Sequence, residues 1–224
     1  MPPRQQIGLR KTHTAVHKPG IERRKLLLQA AYDLLCERDI EAVTFRDIAT
    51  KAGVPEGSAY HFYANRFDLF TALADDLSRL FVEAHQRTVP ATRRRTWQDL
   101  AAWLVDVGAQ VYAENPPARQ LLIGGKTPPE VKQADRMNDR QVGELMYEVF
   151  ARYYKVPDTP ELHAAFYYFI EITDLIFTIS VIEHGEITPH MLAEAKRAGT
   201  AYLGTYLDGV EPAGSGSSSS SFSG

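Results

Sequence analysis

Between Ile21 and Leu207, apolar residues recur every three or four positions, the period of helices that turn one face to a core. The first such stretch, 21–38, carries Leu26, Leu27, Leu28, Ala30 and Ala31, with Leu34 and Leu35 one turn later. Over 44–63 the pattern breaks into two short helices around a tight turn. Ile48 and Ala49 put an apolar and a small residue on the inward side of the first. Gly53 stands where the chain must reverse, a position that tolerates φ > 0 at low cost. Val54, Ala59 and Phe62 supply the inward side of the second. Asn65 then caps a long helix, with Asp68 at its third position and Leu69, Leu73, Leu77, Leu80 and Phe81 as its stripe. Thr96 and Asp99 begin another, whose inward side is Leu100, Trp103, Leu104, Val107 and Val111 and which Asn115-Pro116-Pro117 stops. Thr127-Pro128, Thr159-Pro160 and Thr188-Pro189 each place a capping hydroxyl before a proline at the first helical position, predicting helices over 128–155, 160–184 and 189–207. No strand-like alternation occurs, so the predicted fold is all-α.

Composition narrows this picture. At 224 residues the chain holds one sizeable domain or two small ones, and 44% apolar residues suit a globular chain. No apolar run reaches the roughly 18 residues of a membrane span, and the basic N-terminus lacks the apolar stretch of a secretory signal. No membrane partner is expected. The single cysteine, Cys36, excludes an internal disulfide, is expected to pack in the first helix, and fits a reducing cytoplasm. Net charge is −3, but residues 1–66 hold eleven Lys/Arg against seven Asp/Glu, and the remainder fourteen against twenty-one. A basic head on an acidic body suits a chain that meets phosphate with its head only. Residues 1–20 are predicted to be a flexible basic arm, in which Arg4, Arg10, Lys11 and Lys18 either trail along DNA or do nothing. His13 and His17 have i,i+4 spacing but no stable helix to make a metal site. Residues 211–224 are a Ser/Gly tail with no assigned function.

The segment 44–63 has the grammar of a helix-turn-helix, whose second helix enters a DNA major groove. Thr44 caps the first helix and aims its N-terminus at a phosphate, and Arg46 reaches the same strand. On the second helix Ser58 and His61 point to base edges or nearby phosphates. Tyr60 sets its ring against the fold and its hydroxyl toward phosphate, and Gly57 lets the backbone approach DNA. Glu56 opposes phosphate but can accept a hydrogen bond from a cytosine amino group.

With T-F-R-D-I-A-x-x-A-G-V-x-x-G-S-x-Y-x-x-Y at 44–63, followed by Asn65-Arg66 and an apolar helix, the chain resembles the TetR family of transcriptional repressors over roughly residues 23–70. The resemblance implies similar roles for the matching positions and a cation at the start of the fourth helix. Here that cation is Arg66, where lysine is more usual. Pro55 departs from the usual capping residue, so the recognition helix has a different start. The resemblance also implies a helical body that binds a small-molecule inducer. The predicted domains are therefore a DNA-binding head over 21–66 and an effector-binding and dimerisation body over 67–210.

Nine aromatics fall between Tyr147 and Phe177, with Trp97, Trp103 and Tyr112 upstream. This density means either core or a mostly apolar ligand cavity. Trp103, Val107, Tyr147, Phe150, Tyr154, Phe166, Glu171 and Asp174 are the expected ligand-binding residues. The stretch 160–184 is apolar nearly all round and needs cover on more than one side. With Ala195, Ala198 and Gly199 on the last helix, flanked by Tyr202 and Tyr206, it predicts a homodimer joined through the last two helices. Tyr167, Glu171, Asp174 and Thr178 form a polar seam on the apolar helix, assigned to an interface, a pocket or solvent. Gly-x-Ser-x-Gly, His-Glu-x-x-His and clustered Cys/His ligands are all missing. Gly125-Lys126-Thr127 mimics a phosphate-binding loop, yet Gln120 occupies its first glycine position. The expectation is no enzyme, no cofactor and no metal, but a repressor that leaves a palindromic double-stranded DNA operator when an effector binds. The alternative is a helical DNA-binding adaptor without an effector.

Overall fold

Capping groups explain where most of the helices begin. The structure, a computed structural model, describes residues 18–213. Arg4, Arg10, Lys11, His13, His17 and most of the Ser/Gly tail lie outside them. Nine α-helices occur among the described residues: α1 (Lys18–Glu37), α2 (Phe45–Lys51), α3 (Glu56–Ala59), α4 (Arg66–His85), α5 (Trp97–Glu114), α6 (Pro116–Leu121), α7 (Pro129–Tyr153), α8 (Pro160–His184) and α9 (Pro189–Leu207). The fold is all-α; an isolated bridge between Tyr154 and Pro212 is the only β pairing among the described residues.

Thr44 with Asp47, and Thr96 with Asp99, close reciprocal capping boxes at α2 and α5. Asn65 Oδ1 accepts the Phe67 and Asp68 amides at 2.7 and 3.0 Å. Thr159 and Thr188 cap α8 and α9 as expected. Thr127 does not cap α7. The extended Pro128 is the N-cap and Pro129 the first helical residue, so the second proline moves the start one position on. The Thr127 hydroxyl instead donates to the carbonyls of Gln120 and Gly124. Two other boundaries differ from expectation: α1 begins at Lys18 rather than Ile21, and the Pro116-Pro117 stop is itself the first turn of α6.

Helices α1 to α3 and the start of α4 make the head, around Leu27, Leu35, Ile48, Ala59 and Leu69, each fully or almost fully buried. Cys36 is exposed, because Leu34 and Leu35 take the inward positions of that turn and turn Cys36 toward the Asp33 and Glu37 side. Helix α4 continues out of the head and packs on α5 and α7, so one rod belongs to both parts. In the body α7 packs on α8, and α8 on α9.

Close helix approach is paid for in glycine. A Cβ on Gly143 of α7 would lie 3.0 Å from the Tyr167 backbone nitrogen of α8, and one on Gly199 of α9 would lie 2.6 Å from the Phe169 ring. Ala195 and Gly199 are thus buried within one subunit, against α8 and its neighbours, rather than facing a second copy as expected. By length and composition α8 is apolar enough to cross a membrane, although Glu171 and Asp174 interrupt it and it packs between α7 and α9.

Candidate functional site

Two places in the fold are candidate sites. The first is the outer surface of the head. Thr44, Arg46, Glu56, Gly57, Tyr60 and His61 are exposed and Ser58 is half-buried, all on the α2–turn–α3 unit. Gly53 makes the turn at φ 65°. Pro55 is the N-cap of α3 and makes no side-chain cap, and the helix lasts only four residues before irregular turns carry Tyr60 and His61. The Tyr60 ring packs on Phe45 with centroids 4.7 Å apart, leaving half of the residue exposed. Thr44 is committed within its own cap: its hydroxyl donates to Asp47 Oδ2 at 2.7 Å and accepts the Asp47 amide at 3.1 Å. Arg66 is half-buried, donates to the Val43 carbonyl at 3.0 Å and lies over the Phe67 ring. It therefore ties the start of α4 to the residue preceding the Thr44 cap.

The second place is a cavity of about 30 Å³ enclosed by α4, α5, α7 and α8. Phe81, Tyr112, Phe169 and Phe177 give it apolar walls, and Asp135, Asp139 and Asp174 give it acid. Of the eight expected ligand-binding residues only Asp174 lines it. Phe150 and Phe166 are fully buried and stack 4.9 Å apart, Tyr147 stacks 3.9 Å from His163, and Tyr154 donates to the Arg94 carbonyl. These aromatics form core where the C-terminal half of α7 meets the start of α8, away from the cavity. Val107 is buried core on α5 and Trp103 packs partly against the same core. Glu171 lies beside the cavity, one oxygen 3.6 Å from Arg136 and the other buried without a hydrogen-bond partner. The polar seam of α8 thus turns toward α7 and the interior.

Asp174 Oδ2 accepts the Tyr112 hydroxyl at 2.9 Å. Lys132 Nζ donates to Asp135 Oδ2 and to the Leu122 carbonyl, both at 2.9 Å. Asp139 has neither a hydrogen bond nor an ion pair with any described residue, although it is only 9% exposed. Burial first, then the neighbouring Asp135 and Asp174 charges, push the Asp139 carboxyl up to about 9, and burial first raises Asp174 to about 7. Burial likewise lowers His85, whose ring nitrogens lie 2.7 and 3.2 Å from the Phe81 and Leu104 carbonyls. Among the described residues no group of three or more His, Cys, Asp or Glu is arranged to hold a metal.

Below the cavity, α6 binds the head. Gln120 Oε1 accepts the Ile40 amide at 2.7 Å, and its Nε2 donates to the Leu35 and Arg38 carbonyls at 2.7 and 2.9 Å. Lys126 pairs with Asp39 and Glu41. The expected glycine position of a phosphate loop is thus the polar joint between the two parts.

Comparison with known proteins agrees with this two-part layout. Residues 27–73 match the model for bacterial regulatory proteins of the tetR family, and residues 95–207 match that for the tetracyclin repressor-like C-terminal domain. The HTH-type transcriptional repressor KstR2 of Rhodococcus jostii (strain RHA1) is 41% identical over 61 residues, a stretch covering 27% of this chain and 28% of that protein. A TetR-family transcriptional regulator from Streptomyces coelicolor superposes with a TM-score of 0.65 at 22% identity, over 83% of this chain and 99% of that one. The multidrug binding protein EbrR, solved with imidazole, gives a TM-score of 0.58 at 19% identity, over 81% and 89%. With one model on the head and another over half of the chain, this protein belongs to the TetR family of bacterial regulatory proteins.

Proposed function

We propose that the chain is a ligand-responsive, sequence-specific DNA-binding repressor that acts as a homodimer on a palindromic operator. The observation that carries this reading is the separation of two surfaces. Arg46, Ser58, Tyr60 and His61 stand on the outside of the head, while an acid-lined cavity sits in the body behind the shared rod α4. A protein so divided reads DNA with one end and senses a small molecule with the other. The dimer is supported by α8, on which Tyr168, Leu175, Ile179 and Ile182 follow one face and are 39–62% exposed. An apolar stripe of this kind on a soluble helix marks an interaction surface. EbrR is described as a multidrug binding protein and KstR2 as a repressor; for this chain both properties belong to the proposal.

One observation favours the adaptor without an effector: about 30 Å³ holds a water or two, not a drug-sized molecule. On the repressor reading the ligand selects a form in which the helices have parted, and it acts only through its preference for that form.

Selection of bound fragments from a random DNA pool by the full chain tests the reading. Recovery of one palindromic sequence is expected, with Tyr60→Phe and Arg46→Ala weakening binding to all sequences and Ser58 or His61 variants changing which sequence is preferred. An unselective pool, or affinity unmoved by all four variants, would remove the DNA-reading assignment.

A further inference from the structure

We propose that the cavity between α4, α5, α7 and α8, widened as these helices part, is a binding site for a compact amphiphilic monocation. Its ligand is an alkyl or aryl amine whose ammonium meets Asp139 and Asp174 while its apolar body lies against Phe81, Val142, Phe169 and Phe177. The proposal rests on the ligand-responsive reading above and names the chemical class it requires.

Three aspartates face one small space, and two already have partners: Lys132 for Asp135 and Tyr112 for Asp174. Asp139 has none, yet it is nine-tenths buried and forms part of the cavity wall. A buried carboxyl without a donor is unfavourable in a core that is otherwise apolar. Its position four residues after Asp135 and eight after the fully buried Val131 puts it on the apolar stripe of α7, where a leucine or valine would pack without that cost. What the wall lacks is a donor for this carboxyl, which a ligand reaching Asp139 supplies.

The other ligand classes fit poorly. An anion would meet three carboxyl groups and one lysine already committed to Asp135 and the Leu122 carbonyl. A polyol would lose water against Phe81, Phe169 and Phe177. A metal ion lacks a set of ligating groups among the described residues. A single ammonium on an apolar body satisfies both the acid and the walls, and its charge is strongest where water is excluded.

The proton balance gives the site a signature. In the empty cavity Asp139 holds its proton until about pH 9, because burial and the neighbouring aspartates disfavour its charge. An arriving ammonium ion forms its ion pair with the carboxylate, and the carboxyl proton leaves to solvent. Binding of an amine that stays protonated therefore releases up to one proton, and its affinity rises by up to about tenfold per pH unit between pH 7 and 9.

The test uses the full chain and three probes of matched shape: phenethylamine, 2-phenylethanol and phenylacetate. Calorimetry at pH 8 is expected to show saturable binding of the amine only, with a heat that depends on the buffer's ionisation. Asp139→Asn should lower amine affinity at least tenfold and remove its pH dependence, while Asp139→Glu restores both. Because a core variant can fail to fold, the pH dependence of affinity in the unaltered chain stands as an independent arm. Equal binding of amine and alcohol, a pH-independent amine affinity, full affinity in Asp139→Asn, or no binding of phenethylamine would each overturn the proposal. Amine binding that leaves an operator complex intact would uphold the ligand class and sink the repressor-release reading instead.

Discussion

Asp139 sets a pH dependence of stability whose sign follows from its burial. In the unfolded chain its carboxyl titrates near the ordinary value of about 4, whereas in the folded protein it keeps its proton to about 9. Below pH 4 both states are protonated and the group is neutral in the balance. Between these limits the folded state binds the extra proton, so stability falls as pH rises, by at most about 1.4 kcal/mol per unit from one group. The groups facing it are Asp135 and Lys132 on α7, Asp174 and Glu171 on α8, Tyr112 on α5 and, across the cavity, His85 on α4. Asp174 acts in the same direction up to about pH 7. His163, raised by its hydrogen bonds to Glu144 and Asp158, also loses its contribution as pH rises, so the variant comparison is what isolates Asp139. Asp39 and Asp47 are held low, chiefly by the Glu41 amide and the Thr44 hydroxyl, and act near and below pH 4. Urea midpoints from pH 5 to 8 are expected to decline in the unaltered chain and to decline less in Asp139→Asn; parallel curves would show that this carboxyl is not held neutral. Sequence reading found Asp174 because a carboxylate is conspicuous on an apolar helix. It missed Asp135 and Asp139 because α7 also carries Arg136, Arg140 and Glu144, among which two buried acids look like surface. The legible signal was their register with Val131, Val142 and Met146.

At the scale of the helix, the contact of α8 with α9 is set by Gly199. A methyl group there meets the Phe169 ring at 2.6 Å and the Thr173 methyl at 3.0 Å. Overpacking of this kind costs about 1–3 kcal/mol, and the better helix propensity of alanine returns at most about 1. Gly199→Ala is therefore expected to lower the urea midpoint by an amount worth up to about 2 kcal/mol, and a rise in midpoint would mean that the two helices are free to separate. Ala195 and Gly199 of α9 are used up inside the subunit, but Ala198 is half-buried and Tyr206 exposed, so the dimer prediction rests on the exposed stripe of α8 and the outer face of α9. Leu175→Arg with Ile182→Arg should convert a dimer at ten-micromolar concentration, about the range of such an interface, into a monomer by sedimentation while leaving helicity intact. Helix starts were legible wherever a hydroxyl or amide caps the first turn, at Thr44, Asn65, Thr96, Thr159 and Thr188. They were misread where proline interferes: Pro116-Pro117 opens α6 instead of only ending α5, and Pro128-Pro129 takes the cap from Thr127. Phe150 and Phe166, expected among the ligand-binding residues, pack in the core instead, because aromatic density records burial without saying what is buried.

Across the whole molecule, the cavity and the head are joined by a short run of polar contacts. Lys132 holds Asp135 at the cavity and the Leu122 carbonyl at the end of α6. Two residues earlier Gln120 fastens α6 to three backbone groups of the head, from Leu35, Arg38 and Ile40. Asn115, where α5 turns into α6, accepts the Tyr32 hydroxyl of α1 at 3.2 Å. An ammonium ligand entering the cavity competes with Lys132 for the acidic side chains. Any loosening of Lys132 frees the Leu122 carbonyl and with it the rigid seat of α6. Because α6 is fastened to the head through Gln120, Asn115 and the nearby Lys126, its displacement would shift the head relative to α4 and so change the spacing of the two DNA-reading surfaces in a dimer. Coupling of this kind is measured as the ratio of operator affinities without and with ligand, ordinarily about 5- to 150-fold. Gln120→Ala removes the three Gln120 bonds of the joint but touches neither the cavity nor the Arg46–His61 surface. It is expected to leave amine affinity in the free protein unchanged and to bring the ratio toward one, at a stability cost of about 1–3 kcal/mol for the unpaired Ile40 amide. Lys132→Met should move the same ratio by acting at the other end of the run. Were the ratio unchanged in both variants, release would have to travel through α4 alone.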